Sequence, residues 1–286
     1  MQLSLDQLSF ICPNCKQVIE YEEELTGIFC TMCQRTYPRL PSGGLAFIQV
    51  DDGAVTDDVD KLKSIAKRYS KFYNLLIDII SPVYPQVTFE RRRLLKSLAG
   101  EGQVILNLGS GSSDFGPEVL NFDIMPYSSV NVTCSIDNIP IADDSVDAII
   151  NLAVLEHVPN PDDVIAEFLR VLKPGGTLFC FVPFIQGFHA SPWDFQRFTK
   201  KGIEVRFKDF QVEWIHTIGP TSGMLWVIQE WLALVFSFGS KKLHTIIWLF
   251  LMLITWPIKF LDAILTFHPR AENIASGFSI KARKSL

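Results

Sequence analysis

The order of apolar runs in this 286-residue chain predicts an α/β fold: a doubly wound, mostly parallel sheet, with a small cysteine-bearing module in front and an apolar helical C-terminal region behind. Three observations carry that prediction. Four short apolar runs, 104–106, 119–122, 146–150 and 177–182, are separated by loop or helix signals, the pattern of parallel strands covered on both faces. Two Cys-x-x-Cys pairs stand near the N-terminus, and two long, mainly apolar runs, 223–239 and 243–267, are separated by Ser240-Lys241-Lys242.

Taken in order, residues 1–50 form one small module, ending in a turn-rich stretch with Pro38, Pro41, Gly43 and Gly44 and a short strand signal at Leu45-Ala46-Phe47-Ile48. Residues 51–100 read as a helical cap or linker. Leu62, Ile65, Ala66, Tyr69, Phe72, Tyr73 and Leu76 recur at three- and four-residue steps, Pro82 and Pro85 interrupt the pattern, and a basic helix resumes over 89–98. The core is expected over 101–220, with a helix at 162–172 between the third and fourth strands. Residues 221–286 complete the chain as the apolar region.

Composition limits the choice of partners. A 48% hydrophobic content supplies a sizeable core, and a net charge of −5 offers duplex nucleic acid no general electrostatic attraction. The six cysteines are two close pairs plus isolated Cys134 and Cys180 in apolar runs, which is metal-site usage rather than a secreted disulfide framework, so the expected compartment is a reducing cytosol. The N-terminus has no basic flank or long apolar stretch and does not read as a cleaved signal.

Cys12 and Cys15, then fourteen residues, then Cys30 and Cys33, can converge four thiolates on one tetrahedral ion, and zinc is the natural occupant. Four thiolates leave no open coordination position, so the expected role is structural. A second motif follows the first core strand. Leu108-Gly109-Ser110-Gly111 lets the backbone turn sharply with a ligand against it, and twelve residues beyond Gly111 the acid Asp123 closes the next strand, where a carboxylate can accept both hydroxyls of an adenosine ribose. The third glycine of a dinucleotide fingerprint is replaced by Asp114, which argues against a nicotinamide cofactor.

Over about 104–199 these pieces resemble the class I S-adenosylmethionine-dependent methyltransferases, specifically the group acting on small molecules and lipids. The resemblance is carried by the loop from Leu106 to Gly111, by Asp123, by Ile139-Pro140-Ile141-Ala142-Asp143-Asp144-Ser145-Val146-Asp147, by Val154-Leu155-Glu156-His157-Val158, and by Val171-Leu172-Lys173-Pro174-Gly175-Gly176. The front module resembles the zinc ribbons that precede some of these enzymes. The family implies a Rossmann-like sheet in which Asn107, Gly109, Ser110 and Gly111 line the methionine end of the cofactor. It further implies that Asp123 holds the ribose, that Ile124 and Ile136 flank the adenine, and that Leu152 and Ala153 approach the methionine moiety. This chain departs from the family at Asn107 and Ser135, where acids are usual, leaving Asp137 as the substitute. The stretch between Gly111 and Val119 is too short for the customary first helix. Some relatives bind a metal with two acids and the histidine at this place, but the first acid would fall at Ala153, so that mode is not expected.

Methyl transfer to a hydroxyl benefits from a general base, and His157 is the first candidate. His189 is the second, in a long loop (183–198) at the carboxyl end of the fourth strand, where open α/β folds bind substrate. Asp194 and Arg197 supply a polar pair there, either for the substrate or to brace the loop. The apolar run from Leu243, flanked by Lys241, Lys242, Lys259 and Arg270, suits an interfacial or re-entrant helix, with a buried helical subdomain or a dimer face as the alternative. The expectation is therefore an enzyme on the cytoplasmic side of a membrane, methylating a small-molecule or lipid-linked acceptor with S-adenosylmethionine and carrying a structural Zn2+. A ribosomal or transfer RNA methyltransferase and a catalytically inactive scaffold binding protein partners are the alternatives.

Overall fold

The computed structural model describes residues 4–21, 27–40, 42–48, 85–98, 102–189 and 193–286. The helical face expected between Leu62 and Leu76 lies outside them. Two small antiparallel ribbons open the chain: β1 (Phe10–Ile11) with β2 (Val18–Ile19), and β3 (Gly27–Cys30) with β4 (Arg35–Pro38). The remaining strands form one eight-stranded sheet. They are β5 (Leu45–Ala46), β6 (Ile105–Leu108), β7 (Leu120–Asp123), β8 (Val132–Thr133), β9 (Val146–Leu152), β10 (Leu172–Pro183), β11 (Phe210–Ile218) and β12 (Gly277–Lys284), in the spatial order β11-β12-β10-β9-β6-β7-β8-β5. Every neighbouring pair from β5 to β10 is parallel, whereas β12 runs antiparallel to both β10 and β11. This is the Rossmann-like, mostly parallel sheet that the sequence predicts.

The strand order reverses between β6 and β9, because the chain leaves β6 toward β7 and β8 and then returns to β9 on the other side. Such a switch point opens a crevice at the carboxyl ends of the two strands. Alternate residues of the buried strands serve opposite faces. Leu106, Ile149, Leu178 and Cys180 belong to the large core with Val164, Ile165, Phe168 and Val171 of helix α2 (Pro161–Val171). Those four recur at one-, three- and three-residue steps, a single apolar stripe; Pro161 at the first turn and Asp162 and Asp163 beside it suit the helix start. Ile105, Ala148, Ile150 and Phe179 face the other side, against Leu94 and partly buried neighbours on helix α1 (Gln86–Leu98). No helix joins Gly111 to Val119, as the short spacing requires.

The C-terminal third departs from the sequence reading. Helix α3 (Lys200–Arg206) and β11 are followed by helices α4 (Pro220–Phe236), α5 (Lys241–Thr255) and, after a 3-10 turn (Trp256–Leu261), α6 (Asp262–Leu265). The chain then returns as β12 into the interior of the sheet, with Phe181 opposite Ser279 and Ser279 opposite His216. The apolar helices are thus an insertion between two core strands and not a terminal appendage. The start of α4 is fixed from the far end of that insertion. The fully buried carboxylate of Asp262 accepts the Thr221 and Ser222 amides (2.6 and 3.0 Å) and the Ser222 hydroxyl (2.6 Å), filling the role of a helix N-cap from forty residues away.

Candidate active site and the four-cysteine cluster

The glycine turn leaves β6 at the switch point with Gly109 and Gly111 both in the left-handed region (φ +72° and +55°). A Cβ on Gly109 would stand 2.5 Å from a Val154 methyl, so the turn packs directly against the segment leaving β9; a Cβ on Gly111 would meet nothing within 4 Å and would project into open space. The amides of Gly109 and Ser110 donate to the Phe122 carbonyl (2.8 and 3.0 Å), which holds the turn over the end of β7. Asp123 is buried there. Its two oxygens accept the amides of Gly111 (2.7 Å) and Met125 (2.8 Å). Burial pushes its carboxyl up from the ordinary value, while those two amides pull it back down.

Asn107 is buried inside the sheet, its amide donating to Asn121 (2.9 Å) and that of Asn121 to the Ser129 carbonyl (3.1 Å). Its side chain is therefore used in a cross-strand amide chain and not toward the crevice. Ile124 is half exposed just past Asp123, Ile136 is buried, and Asp137 is an exposed acid that accepts from the Ser135 hydroxyl (2.5 Å). A cleft between the N-terminal module and the core is lined by Arg35, Tyr37, Phe47, Cys134, Ser135 and Asn138 among others.

On the other side of the crevice, β9 ends at Leu152 and the chain reverses through Ala153, a non-glycine residue at φ +55° whose amide donates to the Phe181 carbonyl (2.9 Å). That strained turn delivers the short 3-10 helix Leu155–His157. Glu156 is fully buried, and neither of its carboxylate oxygens has a hydrogen-bond partner among the described residues. His157 Nε2 and His189 Nε2 lie 3.8 and 3.7 Å from Glu156 Oε1, and the two imidazoles meet edge to face at 5.2 Å. The close approach of the Glu156 carboxylate, with the Gly187 carbonyl, raises His189 above its ordinary value against the opposing effect of burial. The sequence named both histidines separately; the fold brings them together and adds Glu156 between them.

Of the two roles the sequence leaves open for Asp194 and Arg197, the geometry matches the bracing one. The buried Asp194 carboxylate is bonded by the Arg197 guanidinium and accepts the His189 amide (2.8 Å), and Arg197 also donates to the carbonyls of Gln186 (3.1 Å), Gly187 (2.8 Å) and Gln196 (2.8 Å). Arg197 holds the Asp194 carboxyl down at about 2. This pair braces the loop that presents His189. One neighbour that the sequence left unnoticed is Trp226 of α4: its indole approaches the His189 ring at 6.2 Å, and a Cβ on Gly187 would strike its Nε1 at 2.4 Å. The apolar helices therefore grow directly beside the histidine loop.

The four cysteines converge as their spacing implies. Cys12 and Cys33 Sγ are 3.4 Å apart, Cys15 and Cys30 Sγ 3.5 Å, and all four lie within 4.8 Å of one another. A tetrahedron with zinc–sulfur bonds of about 2.3 Å has edges of about 3.8 Å, so the set fits one zinc ion. Burial opposes ionisation of Cys12, but the Tyr37 hydroxyl at 3.0 Å and the amides of Cys15 and Asn14 outweigh it and bring that thiol to about 6. The module is fastened to the loop after β8: the Ile11 amide donates to the Pro140 carbonyl (3.1 Å), the Ala142 amide to the Ser9 carbonyl (2.8 Å), Lys16 to the Asn138 side chain (2.5 Å) and Asn138 to the Pro13 carbonyl (3.1 Å).

A family profile described as a methyltransferase domain matches residues 99–180. An uncharacterized methyltransferase of Mycobacterium leprae is 33% identical over 94 residues, covering 26% of this chain and 35% of that protein, so the chain spans about a third of the length of the curated relative it matches. Among solved structures, Haemonchus contortus phosphoethanolamine N-methyltransferase 2 in complex with S-adenosyl-L-methionine aligns with a TM-score of 0.41 at 16% identity, over 69% of this chain and 52% of that one. The [4+2]-cyclase SpnF aligns at 0.44 and 15%, over 68% of this chain and 80% of its own. The sheet order and the glycine turn over a buried strand-end acid agree with that match: residues 99–180 are similar to the methyltransferase domain of S-adenosylmethionine-dependent enzymes.

Proposed function

We propose that this chain transfers a methyl group from S-adenosylmethionine to a hydroxyl of a small-molecule or lipid-linked acceptor at a membrane surface. The observation that carries the reading is the crevice at the carboxyl ends of β6 and β9. It has the glycine turn and Asp123 on one wall, and Glu156 with His157 and His189 on the other. The residues fit the cofactor: Gly111 leaves open space where any side chain would intrude, and Asp123, with one amide on each oxygen, keeps lone pairs for two ribose hydroxyls. Ile124 and Ile136 supply apolar surface for the adenine ring. When bound, the cofactor supplies an electrophilic methyl on a sulfonium that leaves as a neutral thioether. The protein's part is to hold the acceptor oxygen in line with that methyl, exclude water and receive the hydroxyl proton. The Glu156–His157–His189 group is the place for that proton, and the exposed Phe188, Trp193 and Phe195 form the apolar rim through which an acceptor enters.

The membrane part of the reading is supported by the inserted helices. Trp231, Leu234, Val235 and Phe236 of α4 and Ile246, Leu249, Phe250, Leu253 and Ile254 of α5 are exposed. The helical stretch Lys241–Leu265 is long and apolar enough to cross a membrane by length and composition, and only 17% of its most apolar window is buried. Because Trp226 of α4 touches the His189 loop, an acceptor anchored in lipid would reach the crevice without leaving the surface.

Calorimetric titration of S-adenosylmethionine into detergent-purified protein tests the reading. Micromolar binding is expected, falling about 10- to 100-fold in Asp123→Ala, because hydrogen bonds to a charged group are worth about 1.5–3 kcal/mol. Absence of binding by the unaltered protein would overturn it and favour an inactive scaffold.

A further inference from the structure

We propose that Glu156, His157 and His189 bind one divalent transition-metal cation, separate from the cysteine cluster, at the acceptor wall of the crevice. The argument begins with the outer nitrogens of the two rings. His157 Nδ1 lies 2.5 Å from the Trp193 carbonyl oxygen, and His189 Nδ1 lies 2.9 Å from that of Gly187. A carbonyl only accepts, so each Nδ1 carries a hydrogen and, in the neutral ring, each Nε2 presents a lone pair. Both Nε2 atoms stand within 3.8 Å of Glu156 Oε1, on a carboxylate itself fully buried with two oxygens that have no hydrogen-bond partner among the described residues. Three electron-rich groups thus converge, with their ligand atoms within 4.8 Å of one another.

A buried carboxylate in such a place calls for a cation or a proton. A proton held on Oε1 or on either Nε2 would have no partner to bond, because those atoms stand 3.7 and 3.8 Å apart, beyond hydrogen-bond range. Arg197 does not satisfy it either, since its guanidinium is engaged by Asp194 and three main-chain carbonyls. The formal charges facing the cluster are those of Glu156, Asp194 and Arg197, which sum to −1 and leave one negative charge for a cation to neutralise. One ion between the three groups would satisfy all of them. Histidines whose outer N–H is held by a main-chain carbonyl are also the usual arrangement around a metal, because that bond fixes the tautomer and aims the ring.

The donor set, two imidazoles and a carboxylate, selects zinc or manganese over magnesium or calcium, and three protein ligands leave open positions for an acceptor oxygen. The third ligand, His189, is contributed from the loop after β10. With the ion bound, the three side chains act on the acceptor through it: the ion lowers the hydroxyl's pKa and the proton leaves to solvent. That use rests on the methyl-transfer reading; the binding of the ion does not.

The test uses the full chain in detergent, metal content being measured by mass spectrometry after equilibration with Zn2+ and removal of the excess. Two equivalents per chain are expected. One should be lost in the double variant His157→Gln/His189→Gln and the other in Cys12→Ser. Replacing zinc by Co2+ separates the two sites, because thiolate-to-cobalt charge-transfer bands belong to the cysteine cluster alone and should persist in the histidine variant. The unaltered protein is also titrated with Mn2+ and followed by electron paramagnetic resonance, a readout that needs no variant to fold. A single equivalent in the unaltered protein, with no bound Mn2+, overturns the proposal. Calorimetry with S-adenosylmethionine on the same samples keeps the two readings apart: cofactor binding without the second ion removes the metal site only, and the second ion without cofactor binding removes the methyl-transfer reading only.

Discussion

At the scale of single residues, Gly109 and Gly111 look equivalent in sequence, yet the fold asks different things of them. Gly109 is pressed against Val154, so Gly109→Ala must displace a packed side chain in addition to occupying a left-handed position, a cost of about 1–3 kcal/mol. Gly111→Ala carries only the backbone cost of about 1 kcal/mol, but its methyl would stand in the crevice. The expected outcome is a lowered melting temperature with partial rescue by Val154→Ala for the first variant, and a nearly unchanged melting temperature with loss of S-adenosylmethionine binding for the second. Thermal unfolding and calorimetry on the pair check this; equal effects on both properties would contradict it. The glycines, Asp123 and the cysteines were legible in the sequence because each is demanded by local chemistry. The use of Asn107 was not, since its partner Asn121 becomes a neighbour only when β6 and β7 pair.

At the scale of elements, the loop after β8 is held from two sides. Arg170 of α2 donates to the carbonyls of Ile139 (2.8 Å) and Ile141 (2.7 Å), while the cysteine module takes Asn138, Pro140 and Ala142. Ser135 and Ile136 on this loop are at the proposed adenine edge. The module, which one zinc ion would hold together, therefore bears on the proposed cofactor site without touching the methyl group. Cys30→Ser is expected to weaken S-adenosylmethionine binding about tenfold, the equivalent of one or two main-chain hydrogen bonds, while circular dichroism of the large sheet is retained. Unaltered affinity in a variant shown to have lost its ion would disprove the coupling. The strands β11 and β12 were not legible as core. Their alternation is visible locally, but a strand's place in a sheet is set by the edge it finds, and β12 follows the most apolar stretch of the chain.

At the scale of the whole molecule, a helical hairpin with exposed Trp, Phe, Leu and Ile side chains leaves the same end of the sheet that bears the crevice. Lipid vesicles containing anionic headgroups are expected to carry the protein upward in a flotation gradient, and the double substitution Phe250→Glu/Leu253→Glu to abolish this. Each buried side chain of that size is worth about 1.5–3 kcal/mol, so losing two costs at least a hundredfold in partitioning. An unaltered protein that stays at the bottom of the gradient would refute the membrane reading and leave the hairpin as a dimer face. Because Asp262 caps α4 and sits at the far end of the hairpin, the substitutions on α5 leave the attachment to the sheet intact.

The sequence by itself determined the alternation of strands and helices, the four-cysteine cluster, the glycine turn and the acid at the end of the second core strand. All of these follow from spacing along the chain: the period of a strand, the reach of a Cys-x-x-Cys knuckle, the backbone freedom of glycine. Only the tertiary structure decided that His157 and His189, thirty-two residues apart, face one carboxylate, and that main-chain carbonyls fix which of their nitrogens face it. Only the structure decided, too, that the apolar helices interrupt the sheet beside that group. Those facts depend on which strands lie adjacent and where a loop returns, and no local pattern carries them, because the energies that settle them arise from surfaces the chain brings together after it has folded.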